Sequence, residues 1–128
     1  MIKISRLALV CAIVTSPFLA PAAARADTHF FTLYNDTVTP IENIYVRMTG
    51  DDNDSDWSDD LLGDNDVLDA NYNQQFTITN ADSCNWDIKI VFQNINTSEI
   101  ASDVDLCTDS DVKVWYDYGN NSFNYNSW

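Results

Sequence analysis

Apolar and polar residues alternate with a period of two along much of this chain. Trp86, Ile88, Ile90 and Phe92 alternate with Asp87, Lys89 and Gln93, and Val112, Val114, Tyr116 and Tyr118 alternate with Lys113 and Asp117. Successive side chains of an extended backbone point to opposite faces, so this pattern predicts strands with one buried face. Segments 30–34, 41–48 and 74–79 read the same way, and 101–106 and 122–126 are weaker candidates. Turn chemistry separates them: Asn35-Asp36 with Pro40, Thr49-Gly50, residues 80–83 and 94–98, and Gly119-Asn120-Asn121. About seven short strands at this spacing predict an all-β fold, a small antiparallel β-sandwich, with a small barrel as the second architecture. No internal repeat and no second domain is visible.

Segment 51–69 breaks the rhythm. It makes a long connection between two strands, and loops of that length are uncommon in compact domains unless functional or disordered. Nine aspartates fall within it and no lysine or arginine. Carboxylates this dense repel one another, so the stretch is either solvated or neutralised by something cationic. Trp57, Leu61, Leu62, Val67 and Leu68 are expected to tether it to the sandwich. Ser58 is expected to cap one helical turn through Asp59, Asp60 and Leu61, with Gly63 ending it.

The first residues predict an export signal. Lys3 and Arg6 precede an apolar core at 7–19, Pro21 breaks it, and Ala24-Arg25-Ala26 offers a small-residue cleavage site. Residues 1–26 are therefore read as a signal peptide and 27–128 as one β-sandwich domain carrying the acidic loop 51–69. The apolar core is too short to span a bilayer, and Val10 before Cys11 is a poor lipoprotein context. The expected location is periplasmic or secreted.

All 20 acids lie after residue 26, against only Arg47, Lys89 and Lys113, which leaves a formal charge of −17. That balance argues against nucleic acid and anionic membranes as partners, and admits cations and cationic proteins. Two of the three cysteines, Cys84 and Cys107, remain after residue 26. An even pair in an exported chain predicts a disulfide. A metal–thiolate site is the disfavoured alternative, because two lone cysteines have no histidine partner.

Several residues together resemble a known pattern: Asn35 to Thr37, Ile41 with Ile44-Tyr45-Val46, Trp57 with Asp60-Leu61-Leu62, Cys84 with Asp87, and Leu106-Cys107. The chain in this respect is similar to a family of small exported bacterial proteins of unknown function. They share a Trp-x-x-Asp-Leu-Leu loop and a Cys…Leu-Cys pattern, and some carry the automatic label argininosuccinate lyase. The resemblance covers roughly residues 30–107. It implies a fold and no chemistry, since a lyase of that kind is far longer and mostly helical. The extra aspartates around Trp57 and the Asn/aromatic tail depart from the pattern.

Asp52, Asp54 and Asp56 alternate like the first ligands of a calcium loop, and oxygen-only donors suit Ca2+. The EF-hand rule then fails, with Trp57 where Gly is needed and Gly63 where Glu is needed. An irregular site remains, with Asp52, Asp54, Asp56, Asp59 and Asp60 as donors and Asp64 and Asp66 as a second cluster. Ca2+ or a lanthanide ion is the implied cofactor, and zinc is disfavoured without His or Cys nearby. The bland alternative is a solvated acidic surface. Catalysis has little support: His29 is the one histidine, and the adjacent acids Asp59 and Asp60 lack an apolar pocket to separate their pKa values. In the tail, Trp115, Tyr118, Tyr125 and Trp128 offer a ligand surface for glycan or protein, against the plainer reading of a closing hairpin that completes the core.

Overall fold

The computed structural model describes residues 28–79, 81–95 and 97–128. The expected signal segment and Cys11 lie outside these residues. Among the described residues no helix is long and apolar enough to cross a membrane.

Seven strands form two sheets. They are β1 (His29–Asn35), β2 (Ile41–Met48), β3 (Asn73–Ile78), β4 (Asn85–Phe92), β5 (Ser98–Asp105), β6 (Asp111–Asp117) and β7 (Ser122–Ser127). One sheet runs β3-β1-β6-β7 and the other β2-β4-β5. The alternating residues do what their spacing predicts. Phe31, Leu33, Val112 and Val114 from one sheet and Ile44, Val46, Ile88 and Ile90 from the other point inward and are almost wholly buried. Phe76 adds a tilted ring contact to Phe31, with centroids 5.5 Å apart. Leu62, Leu68, Ala81 and Leu106 close the core from the connections.

The pairing is antiparallel throughout except between β1 and β6, which run parallel from Thr32↔Asp111 to Asn35↔Val114. Strand β5 starts at Ser98, before the expected 101, and its inward residues Ala101 and Val104 are three apart. A bulge between the Trp86 and Ile88 pairings absorbs the extra residue. The carboxylate of Asp87 holds that bulge. It accepts bonds from the Asp103 backbone N–H at 3.0 Å, the Thr49 hydroxyl at 2.9 Å and Arg47 Nε at 3.3 Å. Asp103 itself has φ of 58°.

A second buried polar residue ties the crossover after β1. Asn35, 1% exposed, donates from Nδ2 to the Thr39 and Leu68 carbonyls at 2.9 and 3.0 Å. Its Oδ1 accepts from the Thr37 N–H and hydroxyl at 3.1 and 2.6 Å. Every polar atom of that side chain is satisfied, so its burial costs little. One chain position thereby fixes the turn before β2 and the end of the acidic loop.

Candidate functional site

The outer edge of β2 faces no strand, and the acidic loop covers it. Ser58 N–H donates to the Val46 carbonyl at 2.8 Å, and Ser58 Oγ accepts from Val46 N–H at 3.0 Å. Leu61 N–H donates to the Ile44 carbonyl at 2.9 Å, and Asp60 Oδ1 accepts from Ile44 N–H at 3.0 Å. Ile41 and Leu68 exchange both backbone bonds at 2.9 Å. Two side-chain oxygens thus stand in for strand carbonyls, and the edge is closed against pairing with other chains. The expected helical turn at Ser58–Leu61 is absent for this reason: the Ser58 hydroxyl, expected to cap it, accepts from β2 instead. The one short helix of the loop is a 3-10 turn at Asp54–Asp56.

The tethers are also resolved. Leu62 and Leu68 are buried in the core, Leu61 packs against it, and Val67 is exposed and pins nothing. Trp57 lies on the outer face of the three-stranded sheet. The Arg47 guanidinium carbon is 4.2 Å and Lys89 Nζ 4.6 Å from its ring centroid. Gly63 (φ 75°) and Asn65 (φ 63°) supply left-handed backbone for the turn between these anchors.

The calcium candidates separate into three groups. Asp52, Asp54 and Asp59 are exposed, and exposed Asp56 accepts the Asn53 N–H at 3.3 Å. Asp60 is committed to structure: besides Ile44 it accepts the Leu62 N–H at 3.0 Å and Asn43 Nδ2 at 2.8 Å. Asp64 and Asp66 line an open concavity of about 540 Å3 with Glu42, Asn43, Asp60 and Gln93. No three of the loop carboxylates bring oxygens within 4.8 Å of one another; among the described residues only Cys84, Asp105 and Cys107 form such a group. The two ion pairs among the described residues, Arg47–Asp87 and Lys113–Asp36, leave the loop aspartates out.

The four tail aromatics do not form one surface. Trp115 and Trp128 share the outer face of the four-stranded sheet. There Lys113 lies over Trp115 and Tyr34 sits 5.7 Å from Trp128. Tyr125 reaches across to the other sheet, its hydroxyl donating to the Ser102 carbonyl at 3.2 Å. Tyr118 lies tilted against Tyr116 at the far end, with ring centroids 5.0 Å apart. The Tyr34 hydroxyl donates to Asp111 at 3.1 Å, and that bond, with burial and the nearby charge, raises its pKa above the ordinary 10.0. Asp117 is held below its ordinary 3.8 by the Asn120 side chain first, then by the Asn120 and Gly119 N–H groups in the β6–β7 turn.

Cys84 and Cys107 form the expected disulfide, 23 residues apart in sequence. His29, the one histidine, lies beside it: Nε2 is 4.0 Å from Cys107 Sγ and 3.0 Å from the Ser83 carbonyl. Sequence reasoning also missed the roles of Asn35 and Asp87. Both stand among the residues that carry the family resemblance, and that was the available signal for a structural duty.

No family model matches the chain, and no curated protein matches it. A solved structure, the NMR structure of a protein from Eubacterium rectale, is similar over 78% of this chain and 87% of its own, with TM-score 0.54 and 18% identity. That likeness concerns the fold alone. The resemblance to the Trp-x-x-Asp-Leu-Leu family rests on the motif residues.

Proposed function

We propose that this protein is an exported, non-catalytic module whose acidic loop takes up hard cations of the Ca2+ type. The supporting observation is where the bases go. Arg47 is spent on Asp87 and Trp57, Lys89 on Tyr45 and Trp57, and Lys113 on Asp36 and Trp115. Among the described residues the loop aspartates have no protein cation within 4.0 Å, which leaves their charge for ions from solution. The open concavity of Glu42, Asp64 and Asp66 offers oxygen donors without a closed cage, which fits the millimolar class of extracellular sites. Melting curves test this. Low-millimolar CaCl2 raises the melting temperature beyond NaCl of equal ionic strength, and Glu42→Gln with Asp64→Asn and Asp66→Asn removes the excess. Equal shifts from the two salts would leave only screening.

A second reading rests on the outer face of the four-stranded sheet. Its Tyr34–Trp128 pair and Trp115 lie among the amides of Asn73, Gln75, Asn124 and Asn126, a composition suited to stacking and hydrogen bonding on a glycan. Glycan-array binding lost in Trp128→Ala would favour it; retention there with loss in the loop variants would not.

A further inference from the structure

We propose that reduction of the Cys84–Cys107 disulfide converts that corner of the sandwich into a site for a thiophilic divalent cation of the Zn2+ class, held by Cys84, Cys107, Asp105 and His29. The two sulfurs and an Asp105 carboxylate oxygen all lie within 4.8 Å of one another. His29 Nε2 brings a fourth donor to 4.0 Å from Cys107 Sγ. In a tetrahedral site with Zn–S near 2.3 Å and Zn–N near 2.0 Å, neighbouring donor atoms sit about 3.4–3.8 Å apart. His29 meets that spacing only toward Cys107 and stands outside the 4.8 Å group, so its ring must swing toward Cys84 and Asp105 while the two sulfurs part by side-chain rotation.

The surroundings already orient the carboxylate and hold the imidazole nearby. Asp105 Oδ1 accepts the Cys107 and Thr108 N–H groups at 3.0 and 3.3 Å, which fixes the carboxylate and leaves Oδ2 for a ligand. The Ser83 carbonyl accepts from both His29 Nε2 and Trp86 Nε1, the latter at 2.8 Å; this keeps the imidazole beside the corner until a metal takes its Nε2. His29 comes from β1, 54 residues before Ser83, so no local sequence pattern announces the set.

The chemistry differs from that of the aspartate loop. Two thiolates and an imidazole select a softer ion than carboxylates do. Both cysteines are exposed, where a thiol reductant can reach them. A dithiol gives two electrons and two protons to the disulfide and is itself oxidised to a disulfide. The metal then displaces the two thiol protons. His29 moves its Nε2 proton to Nδ1, releases Ser83 and binds through the freed lone pair. Oxidised, this corner has no thiolate and takes no such ion, so it is either a covalent staple or a metal site.

Cobalt titration after reduction with a phosphine, which does not itself chelate the metal, tests this. Reduced wild type binds one Co2+ with the visible bands of a four-coordinate cobalt thiolate, and the oxidised protein shows none. His29→Ala and Asp105→Asn each weaken binding at least tenfold, since groups that only support a ligand already cost about 10–100-fold. Asp105→Asn keeps the oxygen that accepts both N–H groups, so its loss reports on ligation. Identical affinity and spectra in wild type and both variants would overturn the assignment, as would a reduced protein that keeps its sheet signal and shows no thiolate band. If reduction melts the sheets, Zn2+ must restore their circular dichroism in wild type and not in His29→Ala; failure to do so overturns it equally.

Discussion

Asp60→Ala is the substitution that most sharply separates a structural loop from a merely solvated one. The carboxylate accepts two backbone N–H groups at 3.0 Å, from Ile44 and Leu62, and the Asn43 amide at 2.8 Å. Ile44 is fully buried, and its N–H sits on the edge that the loop covers. Each such bond contributes about 1 kcal/mol net, so the alanine variant loses about 3 kcal/mol. For a domain of about 100 residues this lowers the melting temperature by about 12–24 °C. Asp60→Asn keeps one oxygen for the two backbone donors and loses about 1 kcal/mol. Asp64→Asn, on the exposed stretch, stays within about 0.5 kcal/mol of wild type. Urea unfolding followed by tryptophan fluorescence measures all three. The reasoning is refuted if Asp60→Ala lies within about 1 kcal/mol of wild type, because the β2 edge would then not depend on that carboxylate.

Other outcomes follow from the same contacts. Cys84→Ser with Cys107→Ser frees a loop closed by residues 23 apart and lowers stability by about 3 kcal/mol in denaturant unfolding. Trp57→Ala removes the ring under Arg47 and Lys89 and costs about 1–2 kcal/mol, an effect that a double-mutant cycle with Lys89→Ala divides between the two cations. Tyr34 stays neutral above its ordinary pKa of 10.0, so its contribution is complete below that pH and fades as pH rises through the raised value; ultraviolet titration shows it ionising late, and Asp111→Asn brings it back. Asp117 behaves oppositely. Its contribution is present above 3.8 and is lost as pH falls through the lowered value, which carboxyl NMR titration follows and Asn120→Ala weakens.

The strands were legible because inward residues repeat every second position, as in Phe31 and Leu33 or Ile88 and Ile90. Strand β5 was the weakest reading because the bulge against Asp87 puts Ala101 and Val104 out of that period. The parallel pairing of β1 with β6 joins segments nearly 80 residues apart and leaves no local mark. In the loop, Leu62 and Leu68 were readable as anchors, whereas Ser58 and Asp60 were not. Their local chemistry favours a helix cap, and the open edge of β2 outcompeted it. The motif residues Asn35, Asp60 and Asp87 proved to be buried or half-buried acceptors that hold turns, edge and bulge. His29 escaped notice because proximity to Cys107 exists only in three dimensions.

Terbium luminescence tests the central claim about the acidic loop most directly. Asp60, which lines the acidic concavity with Asp64 and Asp66, lies three residues after Trp57, whereas Trp86 is buried and Trp115 and Trp128 belong to the other sheet. An ion held by the loop is therefore sensitised by excitation of Trp57. The account predicts saturable emission that Trp57→Phe largely removes and that excess Ca2+, unlike NaCl of equal ionic strength, displaces. Emission that is absent, or that survives Trp57→Phe undiminished, would contradict it.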